Sequence, residues 1–418
     1  MPVVISAKYM APLRALARRL ATVPLKLTPM GKYAQVSDSE MLFHRGNSSF
    51  WEAHPETPFQ GHPRFSKEIS HETPAAPMPE WMTNDLGWTA PPVRFVRMND
   101  AILWLLEGIA MTASGDVIAD SAVTLRELCP DLTVMPGTSL RNQRTVFDRR
   151  TLRNIEVIDG PVLMPANSWN RAFGHWIYDT LAAICTFIEP IRSGRLRLVM
   201  SELTSWQRSW LNFLGVPEAA VIEAGFGYVQ ARHAIIPSTL SVQNVRNPGP
   251  HVVELIEFLR SLPQNCAPAT PYLYLSRLGL GDSSHRTLEN EDRIISSLGR
   301  LGFVSVTPET LTPAEQIALF AQARVILGPV GSAFALSGLA SPGATIVEIL
   351  PPPAAHSWVY RSSAILNQRY GCIMAEVIQD SRRDDEVHGI TRPGWFYSYQ
   401  ADHDVVLRVA ERAMHLSA

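Results

Sequence analysis

The sequence predicts an α/β protein of two domains, whose sheets are mostly parallel and covered by helices. In the second half, short apolar runs alternate with amphipathic helical runs from about 251 to 377. A less regular alternation fills 93–243, and 418 residues exceed what one ordinary core holds. Apolar strands that alternate with helices pair in parallel, because the crossover helices cover the faces of the sheet. A turn-rich linker at 244–250 separates the halves.

Composition and charge are those of a soluble globular protein. The chain is 46% hydrophobic and 18% charged, with a formal net charge of −2, so bulk electrostatics favours no nucleic-acid partner. The four cysteines lack the spacing of a metal site or a disulfide framework. No apolar run reaches the roughly 18 to 20 residues that span a bilayer, and no clear signal peptide opens the chain. We therefore expect a cytoplasmic protein.

Residues 1–92 predict a basic helix followed by an irregular arm. Near the start, apolar residues at helical spacing alternate with lysine and arginine. This pattern suits an interfacial helix on anionic lipid, which implies peripheral contact with the inner membrane face, or equally a helix packed on the protein itself. From 38 to 92, Pro, His, Ser and Gly block regular structure. The spacing of the histidines matches no compact metal site, so we interpret them as surface residues. They are His44, His54, His62 and His71.

Strand-like runs dominate the first domain, 93–243. Strands are predicted at 93–96, 101–106, 116–120, 155–158, 162–165, 196–200 and 231–237, and a helix at 206–214. The run at 162–165 leads into 167–179, Asn-Ser-Trp-Asn-Arg-Ala-Phe-Gly-His-Trp-Ile-Tyr-Asp, and apolar residues at helical spacing follow. This segment lies at a strand-to-helix junction, where open α/β sheets bind ligands.

The second domain, 251–418, alternates more clearly. Helices are predicted at 251–262, 290–301, 313–323, 358–366 and 405–414, with a short helix after Gly331, and strands at 272–276, 303–306, 325–327, 345–350 and 374–377. One helix start is specified locally, because Thr312 can cap it, Pro313 suits the first helical position and Glu315 can reach back to the cap.

His175 and Asp179 are the candidate catalytic residues. They lie four residues apart near a helix start and therefore project from the same face. Either side chain can remove the proton from an acceptor hydroxyl during displacement at a sugar carbon. The alternative is that they cap or hydrogen-bond neighbouring loops. Sequence alone leaves open which of the two would be the base.

Arg277 heads the candidate anion-binding residues. It follows the strand at 272–276, and the carboxyl end of a parallel strand faces the ligand crevice. Arg286 and Asn290 stand in the polar loop beyond it. A guanidinium group matches phosphate oxygens, although surface arginines are common.

The turn 328–332, Gly-Pro-Val-Gly-Ser, is the candidate diphosphate loop. Gly328 and Gly331 allow a ligand to approach closely, and amides at the helix start near Ser332 can hold phosphate. The turn lacks both the Walker ending and GxGxxG, so the alternative is an ordinary tight turn. Glu348, at the end of the next strand, either accepts hydrogen bonds from ribose hydroxyls or faces water.

Together, these motifs resemble glycosyltransferase family 61, the DUF563 group, over about 93–380. The resemblance rests on the order and spacing of several short motifs. They are Asn-Ser-Trp-Asn at 167–170, Gly-His-Trp at 174–176 with Asp179, Tyr-Leu-Ser-Arg at 274–277, 286–291, Gly-Phe at 302–303, Leu-Thr at 311–312 with Glu-Gln at 315–316, Gly-Pro at 328–329 with Gly331, and Val-Glu at 347–348.

The resemblance implies an inverting, metal-independent glycosyltransferase of GT-B type, with two Rossmann-like domains facing a central cleft. The second domain would hold a nucleotide-sugar donor, and no cofactor would be needed. The acceptor would be a glycan or lipid-linked saccharide, as in bacterial capsular polysaccharide biosynthesis. Asn170 and Trp176 would lie on the acceptor side, while Arg277, Arg286 and the amides after Gly331 would neutralise the diphosphate.

Val330 is a departure from the family pattern, which has His in Gly-Pro-His-Gly. The family also has Asn shortly afterwards, where this chain reads Ala-Leu-Ser at 335–337. Loss of that imidazole motivates an alternative hypothesis, in which the chain is a catalytically degenerate member that binds nucleotide or glycan as a partner subunit. Another enzyme of similar architecture, such as a polysaccharide pyruvyl transferase, is a third hypothesis.

Overall fold

The computed structural model describes most of the chain as a mixed α/β protein. The described residues are 22–37, 40–41, 48–84, 86–122, 132–166, 169–238, 247–263, 270–279, 286–387 and 390–417. The predicted N-terminal basic helix, up to residue 21, and residues 244–246 of the linker lie outside them.

Two principal sheets organise the described chain. The strands are β1 Thr22–Pro24, β2 Lys26–Thr28, β3 Ala34–Gln35, β4 Ser49–His54, β5 Thr57–Phe59, β6 Trp88–Ala90, β7 Val93–Trp104, β8 Ile109–Met111, β9 Asp116–Ile118, β10 Thr138–Arg141, β11 Arg144–Asp148, β12 Glu156–Leu163, β13 Arg197–Met200, β14 Val221–Glu223, β15 Tyr228–Pro237, β16 Tyr272–Leu275, β17 Arg286–Leu288, β18 Val304–Val306, β19 Val325–Pro329, β20 Thr345–Leu350, β21 Arg369–Met374, β22 Glu376–Val387 and β23 Ile390–Gln400.

Helices cover these sheets. They are α1 Glu80–Thr83, α2 Phe173–His175, α3 Ala182–Thr186, α4 Ile188–Arg192, α5 Ser205–Phe213, α6 Pro250–Ser261, α7 Glu291–Arg300, α8 Pro313–Ala321, α9 Trp358–Ile365 and α10 His403–Leu416. A π-helix spans Trp176–Leu181, and short 3-10 helices span Met30–Lys32, Lys67–Ile69, Arg149–Leu152, Glu218–Ala220, Pro308–Thr310, Ser332–Leu339 and Pro352–Ala354.

The second principal sheet is fully parallel, as predicted. Its five strands run in the order β18-β16-β19-β20-β21. Every residue of β19 and β20 is buried, which explains why these strands are continuous apolar runs without alternation. After β16 the chain continues to β18, which lies on one side of β16, and then to β19, which lies on the other side. The carboxyl ends of β16 and β19 therefore form a topological switch point.

The first principal sheet is mixed, which corrects the expectation that both sheets are mostly parallel. Strands β14-β13-β12-β15 are parallel neighbours, but β15, β7, β8 and β9 pair antiparallel. The predicted strands at 93–96 and 101–106 form the single strand β7. Asn99 and Asp100, which lie between the two predicted runs, are exposed strand residues, and Asp100 adopts a positive φ of 50° within the ladder.

The arm that precedes β7 is more ordered than its composition suggested. Strand β4 pairs with β7, while the bridges Phe65–Tyr370 and His71–Ile373 lay the arm along β21 of the second sheet. His62 is buried, 3% exposed, with its Nε2 2.9 Å from Ser363 Oγ, so it is not a surface histidine. The sequence did not predict this structure, because contacts with β7 and β21 order the segment and no local periodic pattern marks it.

The predicted start of α8 is confirmed in atomic detail. Thr312 Oγ1 accepts a hydrogen bond from the Glu315 amide at 3.4 Å, and Glu315 Oε2 accepts one from the Thr312 amide at 2.8 Å. Pro313 is the first helical residue. This reciprocal capping satisfies two of the amides that a helix start leaves without intrahelical partners.

Candidate functional site

We call the first principal sheet with its helices the first unit, and the second principal sheet with its helices the second unit. The candidate site lies where the two units meet, beside the carboxyl ends of parallel strands. In the first sheet, β12 has β13 and β14 on one side and β15 on the other, so its carboxyl end is a switch point. The segment after β12 leads into α2, which packs against the 3-10 helix that follows β19. A Cβ on Gly174 would lie 3.7 Å from Ser332 Cβ. The two predicted motifs therefore meet across the units.

His175 and Asp179 form a close pair on the helical segment that begins at α2. His175 Nδ1 lies 2.9 Å from Asp179 Oδ2, and Asp179 is buried while His175 is partly exposed. Between them the backbone is a π-helix, a conformation that is rare and frequent at functional sites. The ring of Trp169 stacks on His175 with centroids 6.2 Å apart. These contacts fix the ring plane and leave Nε2 as the nitrogen directed away from Asp179.

A second histidine adjoins this pair from α6. His251 is buried, and burial lowers its pKa to about 4, against the opposing field of the Asp179 carboxylate. Its imidazole is therefore neutral near pH 7. His54 of β4, whose Nε2 lies 3.0 Å from Glu254 Oε2, also acts on His251 electrostatically. The sequence did not single out His251, because no spacing connects it to the 167–179 segment.

Arg277 and Arg286 are adjacent cations at the carboxyl end of the second sheet. Burial first, and the charge of Arg286 second, lower the pKa of Arg277. The Arg277 amide donates to Glu291 Oε1 at 2.8 Å, which ties the strand end to α7. Arg286, in β17, hydrogen-bonds to Tyr397. Two neighbouring guanidinium groups can bind an anion, because an anion would offset their repulsion, although the carboxylates of Glu291 and Glu309 also act on Arg277.

The two glycines of the turn 328–332 have different surroundings. A Cβ on Gly328 would lie 2.7 Å from the carbonyl oxygen of Leu275, within the sheet. A Cβ on Gly331 would lie 2.7 Å from Arg277 Nη1. Gly328 therefore permits strand packing, whereas Gly331 makes room for the arginine. Val330 is 2% exposed and packs in the core.

Glu348 is buried within β20 and does not face water. Its Oε2 accepts a hydrogen bond from Tyr370 Oη at 2.8 Å. Burial raises its pKa to about 8, and the Tyr370 hydrogen bond and the charge of Arg286 only partly oppose this shift. The carboxyl is therefore largely protonated near pH 7.

One cavity of about 660 Å³ lies between the two units. Its volume is in the range of small-molecule sites. Of the predicted donor residues, Arg277, Arg286 and Ser332 line it, and Gly331 borders Arg277. His175 lies two residues beyond Phe173, which lines the cavity. The structure thus brings the arginine pair, the turn and the His175–Asp179 pair into one neighbourhood.

Three other predicted residues lie elsewhere. Asn290 Nδ2 donates to the Ala401 carbonyl at 2.7 Å and lines a separate polar cavity. Asn170 is buried, and its carbonyl accepts from Gln207 Nε2 at 3.0 Å. Trp176 is fully buried and packs edge-on against Trp206. Asn167 and Ser168 lie outside the described residues.

Several cavity residues were not predicted as site residues. Arg171 lies within the 167–179 segment but was not assigned a role, and its guanidinium lies 5.4 Å from the Phe226 ring. Gln316 follows the cap of α8, which was interpreted as purely structural. The unpredicted lining residues include Arg171, Phe173, Trp206, Glu309 and Gln316. Only the three-dimensional packing of α5 against α8 brings them together.

Among the described side chains, no group of three or more His, Cys, Asp or Glu residues is arranged to hold a metal ion. Within the described part of the chain, no helix combines the length and apolar character that crossing a bilayer requires.

Comparison with known families places the site in context. The sequence model of the family described as Glycosyltransferase 61 matches residues 173–347. A comparison with curated proteins found no match. The matched range includes His175, Asp179, both arginines and the turn 328–332, although it is narrower than the 93–380 suggested by the motifs. Residues 173–347 therefore match glycosyltransferase family 61, a family of glycosyltransferases.

Proposed function

We propose that the protein is an inverting, metal-independent glycosyltransferase that moves a sugar from a nucleotide-sugar donor to a hydroxyl of a glycan or polysaccharide precursor. The observation that carries the proposal is that Arg277 and Arg286 line a cavity which Phe173 also lines, two residues before the paired His175 and Asp179. The arginine pair suits a diphosphate, and the His–Asp pair suits proton removal. Both groups follow the carboxyl ends of parallel strands at switch points, the arrangement expected of a GT-B enzyme with two Rossmann-like units.

In the donor half of the reaction, the two guanidinium groups bind the diphosphate oxygens. As the bond between the anomeric carbon and the diphosphate oxygen breaks, its electron pair leaves with the diphosphate. Fixed positive charge that is already in place stabilises this developing negative charge without reorganisation. The arginines thereby supply what a divalent ion supplies in other transferases, and no cofactor is required.

In the acceptor half, His175 serves as the base and Asp179 orients it. With Nδ1–H donating to Asp179, Nε2 carries the lone pair that takes the proton of the acceptor hydroxyl. The acceptor oxygen then forms its bond to the anomeric carbon from the face opposite the diphosphate, so one displacement inverts the configuration. Asp179 also stabilises the imidazolium that results.

The acceptor is proposed to be a glycan or a lipid-linked saccharide, assembled at the cytoplasmic face of a membrane. The basic N-terminal segment, which lies outside the described residues, is the proposed contact with anionic lipid. Capsular polysaccharide synthesis is the kind of process in which such a reaction would serve.

Variants of the His175–Asp179 pair test the proposal. In an assay of nucleoside diphosphate release from a panel of nucleotide sugars with saccharide acceptors, we expect His175→Ala to lower kcat by about 10²- to 10⁴-fold. Asp179→Asn should lower kcat and change its pH profile while the KM for the donor stays unchanged. His233→Ala, which removes an exposed histidine bonded to Asn99, is the matched control and should leave kcat unaltered.

Three results would change the assignment. Full turnover by His175→Ala, with an inactive Asp179→Asn, would make Asp179 the base. Nucleotide binding without any turnover by the unaltered protein would favour the degenerate partner-subunit hypothesis. Turnover of phosphoenolpyruvate in place of nucleotide sugars would favour a pyruvyl transferase.

A further inference from the structure

Gln316 is a buried polar residue that the proposed reaction does not use. It lies on α8 and lines the cavity, yet its side chain is only 4% exposed. Its Nε2 donates to the carbonyl of Pro308 at 2.8 Å and to that of Leu311 at 3.3 Å. Both amide hydrogens are thereby engaged, and the orientation of the amide is fixed. Among the described residues, Oε1 has no hydrogen-bond partner.

A buried acceptor without a partner carries a free-energy penalty, since it has given up water and received nothing. A ligand N–H group that enters the cavity would remove this penalty. Gln368 has the same amide pattern, with Nε2 donating to Ser337 and Ala340 carbonyls and Oε1 without a partner in the described chain. Gln368, however, does not line the cavity. Its position distinguishes Gln316 as a residue that can meet a ligand.

The lining of the cavity combines chemically different groups. Arg277 and Arg286 provide cationic groups that suit the diphosphate. Gln316 lies on α8, which contacts α5, and α5 contributes Trp206 and Trp210 to the lining. Trp206 also packs edge-on against Phe173, with centroids 5.7 Å apart. A wall of aromatic rings suits a flat ring system, and such a wall with a few fixed polar groups is the usual form of a small-molecule site.

We propose that Gln316 Oε1 accepts a hydrogen bond from a ring N–H of the donor's nucleobase and makes Gln316 a specificity-determining residue. A freely rotating glutamine can pair with a base that offers a donor and an acceptor. Because both amide hydrogens of Gln316 are engaged, it can only accept. Uracil and guanine carry an N–H at the ring position where cytosine and adenine carry a lone pair, and the last two bases can offer an acceptor only their exocyclic amino group. A contact at the ring nitrogen therefore selects a uridine or guanosine diphosphate sugar.

This inference rests on the proposed donor site, and its test separates the two. Isothermal titration of the full chain with UDP, GDP, CDP, ADP and inorganic pyrophosphate measures the base and the diphosphate separately. The unaltered protein should bind UDP or GDP about tenfold or more tightly than CDP and ADP, as expected for one hydrogen bond to a buried acceptor. Gln316→Leu should lose this preference and keep its affinity for pyrophosphate. Gln368→Leu, which disrupts the same amide pattern outside the cavity, should keep both the preference for UDP or GDP and the affinity for pyrophosphate.

Several outcomes would overturn the inference. Retention of the preference for UDP or GDP in Gln316→Leu would overturn it. A preference of the unaltered protein for CDP or ADP would also overturn it. Loss of pyrophosphate binding in Gln316→Leu, with binding intact in Gln368→Leu, would show that Gln316 supports the cavity and does not select the base. If the unaltered protein binds neither nucleotides nor pyrophosphate, the proposed donor site itself is wrong.

Discussion

Glu348 shows how a single residue can differ from what its place in the sequence suggests. At the end of an apolar strand and before three prolines, it suggested an exposed carboxylate or a ribose ligand. In the structure it is 1% exposed and bonded to Tyr370. The sequence could not reveal this burial, because the arm that covers β21 comes from residues almost 300 positions earlier.

The raised pKa of Glu348 makes a prediction about stability and pH. The folded-state pKa, about 8, exceeds the ordinary value of 4.5, so folding favours the protonated form. This contribution is fully present below about pH 4.5 and is lost as the pH rises through the folded-state value, at about 1.4 kcal/mol per pH unit between the two. Glu348→Gln keeps an acceptor for Tyr370 and removes the titration.

Urea denaturation at pH 5.5 and pH 7.5 checks this prediction. The free energy of unfolding of Glu348→Gln should rise relative to that of the unaltered protein by roughly 3 kcal/mol between these pH values. His251, whose pKa is depressed, titrates in both proteins and cancels in the difference. An identical pH dependence in the two proteins would mean that Glu348 is ionised in the folded state.

In the turn between β19 and the 3-10 helix Ser332–Leu339, we expect substitutions of the two glycines to have different effects. Gly328→Ala places a methyl group against the backbone of Leu275, which cannot move without disturbing the sheet. We expect a loss of about 1 to 3 kcal/mol of stability. Gly331→Ala meets the end of the Arg277 side chain, which can shift. We expect a small loss of stability and weaker nucleoside diphosphate binding.

Thermal denaturation and titration of both variants distinguish these effects. Gly299→Ala, in α7 with open space around its Cβ position, is the matched control and should lower neither property. Weaker binding in Gly328→Ala at a temperature where it remains folded, with unaltered binding in Gly331→Ala, would contradict the roles assigned to the two glycines.

Most elements of the second half were predictable because their signals are local. Buried parallel strands need uninterrupted apolar residues, and amphipathic helices and capping residues mark what lies between them. The π-helix at Trp176–Leu181 gave no such signal, since its residues also fit an α-helix. Strand β4 and the arm were missed for a related reason. Their pairing partners are distant in sequence, and composition alone described them as irregular.

The candidate site was predictable only in part, because it is a property of the whole molecule. Arg277, Arg286 and Ser332 were singled out from the sequence, and the structure places all three on one cavity. His175 and Asp179 were singled out by their spacing, and the structure pairs them. The aromatic and amide residues of the cavity were not singled out, because their position depends on how α5 meets α8. Asn290 was chosen for its neighbours in sequence, yet its amide holds the segment before α10.

Apolar side chains from both units and from the arm share one extensive core. The cavity therefore lies at the boundary between two units that share one core, and that core positions the residues on both sides of the cavity. A ligand that contacts both units should stabilise the entire fold, because it adds contacts to both units at once.

Ligand-induced stabilisation tests the central claim most directly. The unfolding temperature of the unaltered protein, Arg277→Ala and Arg300→Ala would be measured with a panel of nucleoside diphosphates and nucleotide sugars, with and without EDTA. At a ligand concentration of 100 times Kd, binding adds about 2.7 kcal/mol to the free energy of unfolding. We predict that one nucleotide series stabilises the unaltered protein and Arg300→Ala equally, that EDTA has no effect, and that Arg277→Ala loses the response. No stabilisation by any nucleotide, or an undiminished response in Arg277→Ala, would contradict a donor site at the arginine pair.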